Sequence, residues 1–348
     1  MKPILLFKAA IVALLFAACS SEENVANSPD SRKIPTKANS QLGELQRKAN
    51  LNLTQKFSFN AKEKAVKFET KKGVVISLNP QELRLNGQPV TGTVNVEFIE
   101  IFSVGNMVTA NKTTMAYAPG SSREPAERRL NALVSGGEFF INMTNEQGVK
   151  LDDGTPITLT VPVKLTENPD NPRDPGSEGM LGWVSTGEDT NGDGAPDLEG
   201  DVTWEPPREG EVVVPVVDEK YIFEILSFGW CNIDKLRQVP GPTTTLSIKV
   251  PAAYNIGNSK CYLAYQAISN SLAPMDEFDY STNSFKEHYG QVPIGLNCYA
   301  ILVSEQNGQW AYAVKPAVVA ANGVITINQS DISFTTEASL IAALDALP

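Results

Sequence analysis

The sequence is poor in the residues that most catalytic and metal sites need. It has one histidine, His288, and four cysteines, none of them in a Cys-x-x-Cys pair. A single histidine excludes zinc sites built from several histidines. It is also the only available base for a Ser/His/Asp or Cys/His mechanism, and its place beside Tyr289, just before a glycine, is more typical of a structural residue. The sequence therefore carries no recognisable catalytic signature.

Basic residues are a minority. The chain has 29 Lys and Arg against 40 Asp and Glu, a formal net charge of −11. An acidic protein repels phosphate backbones and anionic lipid headgroups, which disfavours nucleic acid and electrostatic membrane docking as partners.

Long hydrophobic runs are also lacking, except near the N-terminus. Ala9–Ala18 is apolar throughout and follows a positive start at Lys2. This run is shorter than the roughly 20 residues that span a bilayer, so residues 1–18 are predicted to be a signal peptide. The Ala-Ala-Cys ending at Cys19 resembles a bacterial lipobox, in which that cysteine is acylated and anchors the mature protein to a membrane. The alternative is a secreted protein with Cys19 left as a thiol.

The residues after Cys19 predict a location and a tether. Ser20-Ser21-Glu22-Glu23 resembles the surface-export signals of Bacteroidota lipoproteins. We therefore expect a protein that is lipid-anchored at the outer membrane and exposed at the cell surface, with the periplasmic face as the alternative. Residues 19–55 are polar and predict a flexible tether, within which Gln41–Asn50 could form a short helix that needs no burial.

The remaining sequence predicts an all-β protein of two β-sandwich domains, 56–238 and 239–348. Val94, Val96 and Phe98 alternate with polar residues, as in a strand with one buried face. Frequent Gly and Pro suit a chain of short strands and turns. Val239-Pro-Gly-Pro242 interrupts the pattern and is the predicted boundary.

The second domain is predicted from turns and a terminal helix. Asn307-Gly308 and Asn322-Gly323 are typical of hairpin turns between alternating segments. Thr335–Leu347 predicts a short C-terminal helix with its N-cap at Thr335 or Thr336. Cys261 and Cys298 both lie in predicted strands of the second half, so a disulfide between them and three buried free thiols, with Cys231 as the third, both remain open.

One acidic turn has the pattern of a calcium loop. Asp189–Asp197 places oxygen ligands at positions one, three, five and nine with glycine at six, which suits a hard cation. The predicted ligands are Asp189, Asn191, Asp193, the carbonyl of Ala195, and Asp197. Position twelve is Gly200 rather than glutamate, so Glu199 or Asp201 would have to substitute. The alternative is an exposed hairpin tip bracketed by Trp183 and Trp204.

A second acidic group is the best sequence candidate for carbohydrate chemistry. Asp276, Glu277 and Asp279 cluster with Phe278 and Tyr280, and paired carboxylates beside aromatic rings could form a glycosidase or glycan site. Consecutive residues point to different faces, however, which favours a solvated turn. An aromatic platform for sugars could also come from four tryptophans, which are more often core residues: Trp183, Trp204, Trp230 and Trp310.

Two stretches carry a family resemblance. The motifs LVSGGEFFINMTNEQGVKL and FGWCNID look like a β-sandwich module of Bacteroidota outer-membrane lipoproteins, loosely similar to ZU5-type domains, and EHYGQVPIGLNCYAILVSEQNGQWAYAV looks like the module that follows it. The resemblance implies an envelope location and two β domains, and no particular reaction. We expect a non-enzymatic binding or structural module contacting other envelope proteins or glycans. The alternative is a glycoside hydrolase or glycan-binding surface protein.

Overall fold

The structure is a computed structural model, and it describes residues 41–117, 130–166, 179–185, 198, 200–206, 212–236, 241–266 and 270–347. All of them belong to one compact unit. The protein is all-β with three α-helices among these residues. No described helix combines the length and apolar character that a membrane crossing requires.

The first half of the unit contains two helices and fifteen strands. Their bounds are α1 Gln41–Leu53, β1 Gln55–Asn60, β2 Val66–Glu69, β3 Val75–Leu78, β4 Arg84–Leu85, β5 Gln88–Pro89, β6 Thr93–Ile101, α2 Val104–Ala110, β7 Met115–Tyr117, β8 Leu130–Asn145, β9 Ile157–Pro162, β10 Leu181–Ser185, β11 Trp204–Glu205, β12 Val212–Val213, β13 Val216–Val217, β14 Lys220–Ile225 and β15 Gly229–Leu236. The two-residue strands β4 and β5 form a hairpin at Asn86-Gly87, where both residues have positive φ.

These strands form two sheets around a first core. One sheet has the order β1-β6-β8-β15-β10-β11-β7, with β12 on β10, and the other has the order β13-β14-β9-β3-β2. Buried residues of both sheets pack together, among them Phe98 and Phe139 from one and Ile76 and Leu159 from the other. The predicted alternation is confirmed, because Val94, Val96 and Phe98 all face this core.

Part of the larger sheet closes on itself. Strand β7 pairs with β11 on one side and with β8 on the other, which completes a ring through β15 and β10. Ala116, Leu133, Trp183 and Trp204 from this ring belong to one buried cluster on the face opposite the first core. Closure removes free strand edges here and folds the sheet around these side chains.

The second half adds nine strands and one helix. Their bounds are β16 Thr243–Lys249, β17 Ser259–Tyr265, β18 Leu272–Pro274, β19 Glu277–Asp279, β20 Ser284–Pro293, β21 Asn297–Gln306, β22 Gln309–Val318, β23 Gly323–Thr326, β24 Ser333–Thr335 and α3 Glu337–Asp345. They form sheets of order β19-β20-β16-β23 and β18-β17-β21-β22-β24. A second core lies between these sheets and includes Ile248, Phe285, Leu263 and Leu302.

A third cluster joins the two halves, and we call it the interface cluster. It contains Phe140 and Trp230 from the first half, Tyr262 and Ile301 from the second half, and residues of all three helices. Backbone hydrogen bonds cross beside it, from Thr114 N to the carbonyl of Leu272 at 2.9 Å and from Ser135 N to that of Asn270 at 3.0 Å. The halves therefore share apolar burial as well as having their own cores.

Helix α2 is held at both ends by the other two helices. Asp345 of α3 accepts a hydrogen bond from Gly105 N at its first turn, at 2.8 Å. Asn50 of α1 donates to the carbonyl of Ala110 in its last turn, at 3.0 Å. Because free backbone groups at helix ends need partners, α1 and α3 complete α2.

Two sequence expectations need correction. The tether predicted through residue 55 is wrong for 41–53, because α1 buries Leu42 and Ala49 in contact with the rest of the protein. The turn at Asn322-Gly323 does not close a hairpin, since β23 pairs in parallel with β16 in the other sheet.

The C-terminal helix is confirmed, with Thr336 as N-cap and Leu340 and Leu344 buried.

Candidate functional site

The residues of two sequence predictions are outside the described part of the chain. These are Cys19 and the calcium-loop residues Asp189, Asn191, Asp193, Ala195 and Asp197. The strands that bracket the acidic turn are described, and Ser185 pairs with Trp204 as the hairpin prediction requires. Asp201, one proposed substitute ligand, forms an ion pair with Lys260 at 2.9 Å. His288 lies in β20, and its side chain is also outside the description.

The acidic group on β19 has structural contacts. Asp279 accepts hydrogen bonds from Lys286 at 2.6 Å and from the Ser281 hydroxyl, also at 2.6 Å. The Lys286 bond, followed by those of Ser281, holds the pKa of Asp279 below its ordinary value. Phe278 packs edge-on against Phe285 with ring centroids 4.8 Å apart, which ties the strand to the second core.

The four tryptophans are core residues. Trp183, Trp204, Trp230 and Trp310 are each at most 3% exposed. Trp183 donates to the carbonyl of Asp234 at 3.0 Å, and Trp204 donates to that of Thr113 at 2.8 Å. A sugar platform built from these rings is therefore wrong, because the rings lie in the interface cluster.

Cys231, Cys261 and Cys298 are free, buried thiols. Cys261 is opposite Leu302, whereas Cys298 is opposite Tyr265 on the same strand pair. The two cysteines are thus separated along the strands by more than a disulfide can bridge. Burial raises the pKa of all three thiols, that of Cys298 to about 11, which keeps them unreactive.

The most unusual chemistry lies on the interface side of β8 and β15, in residues that we call the Glu138 cluster. The cluster comprises Lys112, Ser135, Glu138, Asn232 and Asp234, each at most 2% exposed. Asn232 is directly opposite Glu138, and Asp234 is opposite Ser135. The two motifs SGGEFF and GWCNID therefore meet across one strand pair.

A β-bulge brings these side chains to one face. The register shifts between Asn232 and Asp234, so that Gly136 and Gly137 together oppose Ile233. Gly137 has φ +129, and an added Cβ would lie 2.6 Å from Phe102. Only glycine fits there, and the extra residue places Ser135 and Glu138 on the same side.

The carboxyl groups of this cluster differ in their partners. Asp234 accepts a hydrogen bond from Asn232 Nδ2 at 2.8 Å and has further bonds with Ser135 and Gly136. Neither oxygen of Glu138 has a hydrogen-bond partner among the described residues, and the same is true of Asp234 Oδ1 and Asn232 Oδ1. Four acceptor oxygens are thus enclosed without donors from the part of the chain that the structure describes, an arrangement that costs free energy unless a proton or cation is shared.

Burial also changes the acidity of both groups. It raises the pKa of Glu138 to about 8, with the Lys112 charge acting in the opposite direction. Burial, followed by the charge of Glu138, raises the pKa of Asp234 well above its ordinary value. Lys112 Nζ lies 4.5 Å from the Trp230 ring centroid. The cluster can therefore hold a proton at neutral pH.

A second buried glutamate lies one strand away on the opposite face. Glu100 of β6 accepts hydrogen bonds from Gln55 Nε2 at 2.9 Å, Thr70 Oγ1 at 2.6 Å and Lys72 N at 3.1 Å. Glu100 is 3% exposed, and both of its carboxylate oxygens accept hydrogen bonds. Glu100 thus fixes the loop between β2 and β3 to the sheet.

Sequence reasoning missed the Glu138 cluster. A carboxylate in a strand pattern is ordinarily placed on the solvent face, and the bulge disrupts the period-two alternation. The available signal was the glycine pair just before Glu138, because glycine inside a strand often marks a bulge. Among the described residues, no three His, Cys, Asp or Glu are grouped so as to hold a metal ion.

Comparisons with known proteins do not place the chain in a family. No protein-family model matches it, and a search of curated proteins found no similar sequence.

Proposed function

We propose that this protein is a lipid-anchored, non-enzymatic module of the cell envelope that serves in binding or in envelope structure. The lipobox-like sequence ending at Cys19 carries the location, and the acidic surface is consistent with a body held away from anionic lipid. The anchor would leave residues 41–347 in water at the outer membrane, facing the cell surface or the periplasm.

The contacts of the candidate residues support a module rather than an enzyme. Asp279 is held in an ion pair at a turn, and Trp183 and Trp204 use their indole N–H groups to fix backbone carbonyls. Glu138 and Asp234 are enclosed between the halves of the protein. These candidate residues thus either have structural partners or are enclosed inside the protein.

The Cys19→Ala variant tests the anchor. It should move the protein from the membrane fraction to the soluble fraction of the envelope, while the wild type stays with the membrane. Cys298→Ala is the matched control, because it removes a buried thiol that no acyl chain modifies. Equal membrane retention of Cys19→Ala and wild type would contradict the proposal.

A pull-down of the wild-type protein from intact envelopes is a separate experiment, and it would identify the proteins that bind to it.

One observation favours glycan binding as the second candidate. Tyr280 is 64% exposed, and its ring packs edge-on against Phe278 at 4.9 Å; Asp276 and Glu277 directly precede Phe278 in the sequence. An exposed aromatic ring held by a half-buried one, in a segment that carries carboxylates, is a surface on which a sugar can stack. Screening wild type and Tyr280→Ala on a glycan array tests this. Binding that is lost in Tyr280→Ala supports it, and equal binding by both contradicts it.

A further inference from the structure

The carboxyl group of Glu138, which has no hydrogen-bond partner among the described residues, would leave an uncompensated charge in the cluster if it were ionised. With both acids ionised and Lys112 protonated, the Glu138 cluster would carry one net negative charge at complete burial. An uncompensated charge inside a protein is strongly destabilising, whereas one added positive charge would neutralise the cluster. A single proton is sufficient, and a divalent cation would leave an excess positive charge.

We propose that Glu138 and Asp234 form a proton-storing pair that closes the interface between the two halves, and that loss of the proton weakens this interface. Asp234 accepts donors that favour its ionised form, whereas Glu138 accepts none from the described residues, yet burial and the charge of Glu138 raise the pKa of Asp234 well above its ordinary value, so the proton belongs to the pair. Two such close acids titrate as a unit.

Titratable groups on the neighbouring elements have other partners or face elsewhere. Glu100 of β6 is bonded to Gln55 and Thr70 on the opposite face, and Cys231 of β15 faces the first core.

Tyr262 of β17 donates to Asn111 Oδ1 at 2.8 Å, and Lys260 of that strand is paired with Asp201. Lys235 is half-buried and also has partners. Lys112 is thus the cation that acts on Glu138.

The backbone links this pair to the interface. Ser135, whose side chain bonds to Asp234, uses its own N–H to reach Asn270 of the second half. Thr114, two residues after Lys112, exchanges hydrogen bonds with Leu272. Repulsion between two ionised carboxylates would therefore act on the strands that carry these crossing bonds.

The pH dependence follows from the raised pKa of Glu138. The folded value is about 8 and the ordinary value is 4.5, so the stabilising contribution is complete below about pH 4.5 and is lost as the pH rises to about 8. For this proton the unfolding equilibrium constant should increase by up to about tenfold per pH unit across that range.

Urea denaturation of the full chain from pH 5 to pH 9 tests the proposal with Glu138→Gln, which mimics the neutral acid. The variant should show a shallower pH dependence than the wild type, because Asp234 is the only acid of the pair that still titrates, and it should exceed the wild type in stability at pH 9. Glu100→Gln is the matched control and should retain the wild-type slope. Parallel profiles for wild type and Glu138→Gln would overturn the proposal. Glu287, whose pKa burial also raises, contributes equally to both proteins and cancels.

Two measurements on the wild type keep the test decisive if Glu138→Gln does not fold. Infrared spectroscopy at neutral pH should show the carbonyl stretch of a buried, protonated carboxyl group, and its absence would overturn the proposal. Hydrogen exchange should show the amides of Ser135 and Leu272 losing protection relative to Leu159 of the first core as the pH rises to 9. Full recovery of stability at pH 9 on adding calcium, sodium or potassium would instead identify a cation site and overturn the proton assignment.

Discussion

Glu100 and Glu138 are a natural comparison, because they lie on neighbouring strands of one sheet and face opposite sides. Both are almost completely buried. Glu100 receives three donors from its own half, one from β1 and two from the loop between β2 and β3, whereas Glu138 receives none from the described residues and faces the second half. The difference shows that burial alone does not decide the role of a carboxyl group. Donors make Glu100 a structural anion, and their lack makes Glu138 a group whose protonation matters.

The largest expected loss of stability comes from disrupting the β-bulge at Gly137, which places Glu138 on the interface side of the sheet. Gly137→Ala should lower the free energy of unfolding by about 3–5 kcal/mol, because the new Cβ meets Phe102 and Phe139 at a strained φ. Urea denaturation measures the loss. Gly148→Ala is the control, since its φ is +77 but nothing lies within 4 Å of the added Cβ, so about 1–2 kcal/mol is expected. Equal losses would show that the bulge is not tightly packed.

Neutralising Glu100, which accepts three hydrogen bonds, should cause the next largest loss of stability. Glu100→Gln leaves donors without their charged acceptor and should cost about 2–3 kcal/mol. The loss should be similar from pH 6 to pH 9 in thermal or urea unfolding. Glu97→Gln on the same strand removes only an exposed ion pair with Lys56 and should cost less than about 1 kcal/mol. A strongly pH-dependent loss in Glu100→Gln would remove the contrast with Glu138.

A smaller loss of stability is expected from a substitution that tests whether α1 is part of the interface. Asn50→Ala removes the bonds to the carbonyls of Gln46 and Ala110 and should cost about 1–2 kcal/mol. The exposed Asn52→Ala on the same helix loses only its bond to Glu337 and should change stability by less than about 0.5 kcal/mol. Denaturant unfolding of both variants distinguishes the two contributions. No difference between them would mean that α1 adds little to the folded state.

The smallest expected effect lies outside both glutamate regions. If Asp189–Asp197 binds calcium, stability should rise by about 0.4–1.4 kcal/mol at calcium between one and ten times Kd. Asp189→Ala and Asp193→Ala should abolish the gain, and magnesium should substitute poorly. Calorimetric titration and thermal melts measure it. No binding heat and no melting shift at about 10 mM calcium would reduce the segment to an acidic turn, given the about 10⁻⁴–10⁻³ M affinities of extracellular sites.

Sequence patterns predict the fold well where one face of a strand is polar. The alternation at Val94–Phe98 and the Asn-Gly turns at 86–87 and 307–308 gave correct strands and hairpins. The Asn322-Gly323 turn misled because a local turn does not specify which strand will be the partner. That choice depends on tertiary packing, and β23 pairs in parallel with β16.

Local sequence patterns could not predict the interface between the two halves. Helix α1 follows a polar segment and is only weakly apolar, so nothing in its sequence showed that Leu42 would pack beside Tyr262 and Leu340. The burial of Glu138 could not be predicted for the same reason, since its environment is created by residues 112 and 234. Burial that depends on distant segments cannot be inferred from the spacing of nearby residues.

The capping of α2 by α1 and α3 has a consequence for the order in which the chain becomes folded. Gly105 and Asp345 are 240 residues apart, so a polypeptide emerging from its N-terminus has the sequence of α2 long before that helix receives its last partner. The first core can assemble from residues 57–233 alone. The apolar surface around α2 remains uncovered until α3 arrives, and this interval is when a chaperone or a protease has access to it.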